Sequence, residues 1–167
     1  SRQIAHRILS RQPNSNQEVS YKGKYTEIRK ERDLISRTAS EKYAVVHFAH
    51  RDFRRCKIMD KHLEQLAPLH QSTAFFKILV EDAPFLVEKL GVKVLPCVVC
   101  FVDGVSKDRL VGFEELGNKD SFASKALEFR LQSAGVLQVQ EQSILGYPQA
   151  VGGSRLGVGA DNDDDWD

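Results

Sequence analysis

Three cysteines, one methionine and one tryptophan are spread over 167 residues. So sparse and odd-numbered a cysteine set excludes a disulfide-stapled scaffold and points to a reduced, intracellular compartment. No apolar run approaches the roughly 20 residues that a membrane helix needs, and the first residues carry no signal-peptide pattern. There is no glycine-rich phosphate loop, no Ser-His-Asp order and no recognisable pair of catalytic carboxylates. Lysine and arginine barely outnumber the acids, 24 to 23, so no broad basic surface for nucleic acid is expected. Neither a membrane nor a nucleic-acid partner follows from this composition.

What is present is 41% hydrophobic residues, enough for a packed core. The charge is unevenly placed. Asp161, Asp163, Asp164, Asp165 and Asp167 leave residues 1–160 with 24 cations against 18 acids, a net +6. Like charges keep such a tail solvated, available for salt-sensitive contact with a basic surface. Six glycines and prolines between Gly146 and Gly159 read as a flexible connector before it. Near the other end, Ile4, Ala5, Ile8 and Leu9 share one helical face before Pro13-Asn14 interrupts it. The chain is therefore divided into a helical or flexible segment at 1–20, a folded domain at 21–137 and a glycine-rich, acidic flexible tail at 138–167.

Within the folded domain, Lys24–Ile28 suits a short edge strand, and Glu31–Thr38 a helix burying Leu34 and Ile35. Tyr43–Ala49 is nearly all apolar, as expected of a strand covered on both faces. Phe53–Leu69 has helical spacing, and Ala74–Val80 is a second apolar strand. Asp82 is placed to cap a helix whose first turn holds Pro84 and which Gly91 ends, burying Phe85, Leu86, Val87 and Leu90. Cys97–Val102 is a third strand, joined through Asp103-Gly104 to a partner at Lys107–Gly112. A last helix, about Lys119–Gln132, aligns Phe122, Ala126 and Phe129. Right-handed crossovers make the early strand pairs parallel, and the hairpin makes the last one antiparallel. The expected class is α/β: a mixed sheet with helices on both faces.

That order, with Pro96 opening the strand before an Asp-Gly hairpin, resembles the thioredoxin fold. A narrower resemblance is carried by Phe53-Arg54-Arg55-Cys56-Lys57-Ile58-Met59-Asp60-Lys61-His62-Leu63, Asp82-Ala83-Pro84-Phe85, Leu95-Pro96 and Val111-Gly112-Phe113-Glu114-Glu115-Leu116-Gly117. Gly23-Lys24-Tyr25-Thr26-Glu27-Ile28 with Glu31-Arg32-Asp33 adds to it. These motifs are similar to the phosducin-like family, in the subgroup of thioredoxin domain-containing protein 9 and phosducin-like protein 3. The resemblance implies a cis Leu95–Pro96 peptide. It also implies a cytoplasmic, in part nuclear, cochaperone that binds the cytosolic chaperonin CCT/TRiC and modulates folding of tubulin and actin. G-protein βγ subunits are a lesser implied partner. No cofactor is implied.

Measured against thioredoxin, the vestigial redox position is Phe53, Cys56 and Pro96. Phe53 stands where the attacking cysteine belongs, and a phenyl ring is no nucleophile. Dithiol exchange needs two sulfurs that meet, so oxidoreductase activity is not expected. His47 stands where the buried aspartate that relays protons would lie. Cys56, at a helix start with Arg54, Arg55 and Lys57 nearby, has two readings: a small packed residue, or a monothiol sensor favoured as thiolate. Cys97-Val98-Val99-Cys100 spells CxxC, but side chains three apart on a strand point to opposite faces. His47, His50, Cys56 and His62 have no closed metal spacing, so no metal is expected. Arg51, Asp52, Phe53, Arg54, Arg55, Lys57 and Lys61 form the densest basic cluster, readable as a solvated helix start or as a partner-contact patch.

Overall fold

The computed structural model describes residues 20–138. The expected segments at 1–20 and 138–167 lie, but for Ser20 and Gln138, outside the described residues. Five strands, β1 (Tyr25–Glu27), β2 (Tyr43–Ala49), β3 (Ala74–Leu79), β4 (Cys97–Val102) and β5 (Val105–Val111), form one sheet in the order β1-β3-β2-β4-β5. β1, β3 and β2 run parallel, whereas β4 and β5 are antiparallel to their neighbours. Four helices complete the domain: α1 (Glu31–Ser40), α2 (Arg54–Leu66), α3 (Pro84–Leu90) and α4 (Ser124–Ser133). No helix among the described residues is long and apolar enough to cross a membrane.

The alternation of strand side chains gives the sheet two cores. On one face Val45, Phe75, Val98 and Cys100 meet Met59, Leu63 and Leu66 of α2 and Leu127 and Leu131 of α4. On the other, Val46, Phe48, Phe76, Ile78, Cys97 and Val99 meet Leu34 of α1, with Leu86, Val87 and Leu90 of α3 at the margin. This is the thioredoxin-like α/β arrangement, a mixed sheet flanked on both sides. Cys97 and Cys100 fall into opposite cores, as strand alternation requires, and both are free.

The β4–β5 turn places Asp103 and Gly104 at φ 52° and 80°, the left-handed pair of a tight hairpin. A side chain on Gly104 would also press on Ala39. The Leu95–Pro96 peptide is cis, as the thioredoxin resemblance implies.

Several helix expectations need correction. The last helix begins at Ser124 rather than Lys119, because Asp120 is drawn to Arg54 and Arg55 and Phe122 packs on Phe113 and His62 before the helix starts. Its buried stripe is Leu127 and Leu131, and Phe129 is 70% exposed. Phe85 and Ile35 are also exposed. Asp82 does not cap α3. The free N–H of Leu86 in its first turn instead donates to the Glu31 carboxylate of α1 at 2.6 Å, so one helix is capped by another.

Candidate functional site

The β2–α2 junction sits at the carboxyl end of the central strand, above the cis Leu95–Pro96 turn. His50 leaves β2 and stacks on Phe53, with ring centroids 4.6 Å apart. Phe53 is the N-cap of α2 in extended backbone, and its carbonyl receives the amides of Cys56 and Lys57. Its ring is 45% exposed. One turn inward, Cys56 is 1% exposed and packs among Ala49, Leu79 and Leu95. The cationic neighbours do not make it a thiolate. Burial pushes the thiol up, outweighing the backbone hydrogen bond with His50 of the preceding loop that favours the anion. Of the two readings for Cys56, this environment is that of a packed, protonated thiol.

Beneath this junction lies a polar cluster that no motif announces. Asp60 of α2 accepts from Tyr25 Oη at 2.6 Å and Lys77 Nζ at 2.8 Å, with His47 Nδ1 at 3.1 Å. Burial alone would raise the Asp60 carboxyl. Hydrogen bonds from His47, Lys77 and Tyr25 more than offset this and hold it at about 2. Burial lowers the fully enclosed His47, keeping it neutral. Because an ionised carboxylate can only accept, Nδ1 of His47 carries the proton. Its Nε2 is then a bare acceptor, buried without a partner among the described residues. Burial, then the charge of Asp60, raises the Tyr25 phenol. The carboxylate thus enters from the helix, facing a histidine on the strand.

The basic cluster divides by geometry. Arg55 turns inward, donating to Asp120 at 2.8 Å and Asn118 at 3.0 Å, with its guanidinium 4.6 Å over the Phe113 ring. Arg54 pairs with Asp120 and Arg51 with Glu81, both at the surface. Lys57 and Lys61 are exposed and form no ion pair among the described residues. The two lysines are four residues apart on one helix face, the first of them four residues after the N-cap Phe53. Asp52 lies beside them, its amide donating to His50. Six of the seven cluster residues are therefore exposed, and Arg55 is a strut beneath them. Among the described residues no three His, Cys, Asp or Glu side chains gather to hold a metal.

No protein-family model matches the chain. Curated relatives do. It is 50% identical over 115 residues to thioredoxin domain-containing protein PLP3A of Arabidopsis thaliana, covering 69% of this chain and 50% of the relative. It is 48% identical over 107 residues to phosducin-like protein 3 of Dictyostelium discoideum, covering 64% of this chain and 58% of that one. Human thioredoxin domain-containing protein 9 is 44% identical over 115 residues, with coverage of 69% and 51%. The chain belongs to the phosducin-like family, in the thioredoxin domain-containing protein 9 and phosducin-like protein 3 group.

This phosducin-like chain spans about half the length of the curated relatives it matches. Its fold is that of a mutant thioredoxin from Halobacterium salinarum, at TM-score 0.59 and 20% identity, covering 73% of this chain and 99% of that one. Of Phe53, Cys56 and Pro96, the residues read from the sequence as a redox position, the fold puts the first two at the start of α2 and packs Cys56 on Leu95, the residue before Pro96. Sequence reading alone does not find Asp60, Tyr25 and Lys77. The one legible signal is Lys77, a lone charge in the strand Ala74–Leu79, directly beside His47 in the β2–β3 register.

Proposed function

We propose that this domain is a non-catalytic, cytoplasmic cochaperone. It would bind the cytosolic chaperonin CCT/TRiC and modulate folding of tubulin and actin through the exposed face around Phe53. Membership of the phosducin-like family supports the class. The observation that carries the non-catalytic reading is the pairing at the helix start: an exposed phenyl ring at residue 53, and a Cys56 thiol that is 1% exposed and held protonated. Thiol exchange needs an accessible thiolate and a second sulfur to release product, and this junction offers neither. What it offers outward is aromatic and cationic, the residue types that protein contacts favour.

The rival reading, a monothiol redox protein or oxidation sensor using Cys56, is disfavoured by the same burial. G-protein βγ binding would use the same exposed face and remains the lesser partner proposal. Two assays test the main reading. Insulin reduction with dithiothreitol is expected to show no turnover above background. Capture from cytosol followed by mass spectrometry is expected to recover chaperonin subunits. Turnover abolished by Cys56→Ser, with no chaperonin recovered, would overturn it.

A further inference from the structure

The exposed face of α2 has a regular layout. Phe53, Lys57 and Lys61 succeed one another by four residues, about 6 Å per step along the axis. The Phe53 ring is backed by His50, so it presents one open face. The two lysines lack ion-pair partners among the described residues, and the neighbouring Arg51 and Arg54 hold only surface pairs. Such pairs are worth at most about 1 kcal/mol and exchange readily for another anion. From Arg51 to Lys61 the acids are Asp52 and Asp60, the latter turned to Tyr25 and Lys77, and exposed Glu64 follows the stripe.

The chain itself contains a ligand of the opposite chemistry. Residues 161–167 hold five aspartates and the single tryptophan of the protein. Side chains on one side of an extended segment recur about every 6.6 Å, close to the lysine step. The indole of Trp166 supplies a flat partner for offset stacking on the exposed Phe53 ring, while the aspartates around it meet the cations.

We infer that the Phe53–Lys57–Lys61 stripe binds the chain's own segment 161–167, so that the acidic, tryptophan-bearing tail occupies the partner-contact face. The inference rests on the reading of that face as the docking surface. The reach is sufficient. Residues 139–160 comprise 22 residues, up to about 73 Å when fully extended, and they follow Val136, which Thr73 holds at the start of β3, about 20 Å along the strand from the Phe53 end of the sheet. A 119-residue domain, the length of 20–138, has a radius of gyration of about 14 Å. A tether of this length gives a millimolar effective concentration, so a contact of about 1 mM intrinsic affinity is half occupied. A partner must displace the tail, and its apparent affinity falls by the fraction of time the face is covered.

Because Trp166 is the only tryptophan, its emission reports the tail directly. In the full chain at low salt, Trp166 emission is expected to be blue-shifted from that of a free peptide of residues 155–167. The shift should vanish near 1 M salt, where charges are screened within about 3 Å. Lys57→Glu with Lys61→Glu should abolish it at low salt, as should Phe53→Ser, with circular dichroism unchanged. It should not depend on protein concentration. Changing the five tail aspartates to asparagine should raise chaperonin capture about 2-fold. Emission equal to that of the free peptide, a shift that survives lysine reversal, or one that grows with concentration through a second copy, overturns the inference. An unshifted Trp166 with capture lost on lysine reversal sinks tail docking alone. A salt-sensitive shift with no capture by any variant supports tail docking and sinks the chaperonin reading.

Discussion

Asp60 Oδ1 stands 3.1 Å from Nδ1 of His47, and the same carboxylate is held by Tyr25 and Lys77. Helix α2 therefore carries a half-buried anion against a fully enclosed, neutral imidazole on the central strand. Removing one member leaves the others enclosed without a counterpart, at a cost of about 1–3 kcal/mol. Asp60→Asn is expected to lose that much in urea unfolding. An unchanged midpoint would contradict the geometry.

The same cluster sets a pH dependence. His47 is fully enclosed and its folded pKa is depressed, so below about 6.5 the unfolded chain binds a proton that the folded one refuses. Stability then falls on acidification, with His47 contributing up to about 1.4 kcal/mol per pH unit. Asp60, held at about 2 when folded, adds about 2 kcal/mol above its unfolded value near 3.9, lost as pH falls towards 2. Urea unfolding between pH 7.5 and 5 should show the first slope, and His47→Gln should flatten it. An equal slope in both proteins would refute the assignment.

All three thiols are buried, and burial raises each, Cys100 to about 12. A thiol reagent near neutral pH should modify none of them quickly in the native protein and all three in denaturant. One fast thiol that disappears in Cys56→Ser would revive the oxidation-sensor reading.

Phe53→Cys should recreate a bridgeable pair with Cys56, three residues on at the helix start. Cα atoms of disulfide partners lie about 4.4–6.8 Å apart. Mild oxidation should leave Cys97 and Cys100 as the free thiols, with a bond between positions 53 and 56 in the mass spectrum. Two thiols at those positions that stay separate would argue against this placement of Phe53.

Most of the scaffold was legible because its three inner strands, β2, β3 and β4, are covered on both faces. Tyr43–Ala49 and Cys97–Val102 are near-continuous apolar runs, and the strands have those bounds. The start of α4 was not legible. Its polar approach, Asn118 to Ser121, looks like a helical first turn, yet Asn118 and Asp120 are engaged by Arg55 from 63 and 65 residues away. Phe129 shares the spacing of a buried stripe but faces outward, since Leu127 and Leu131 take the inner side. The Tyr25–His47–Asp60–Lys77 cluster joins three strands and a helix, so no local spacing could announce it. The resemblance named Phe53, Cys56 and Pro96, but only the fold separates Arg55, bent inward, from the exposed Lys57 and Lys61.

On the proposed reading, this domain works through its exposed α2 face and not through sulfur. Quantitative capture of the chaperonin from cytosol, comparing the unaltered chain with Cys56→Ser and with Lys57→Glu plus Lys61→Glu, tests that most directly. Capture should be retained by the serine variant and lost on lysine reversal. Capture lost in the serine variant and kept in the lysine variant would contradict it.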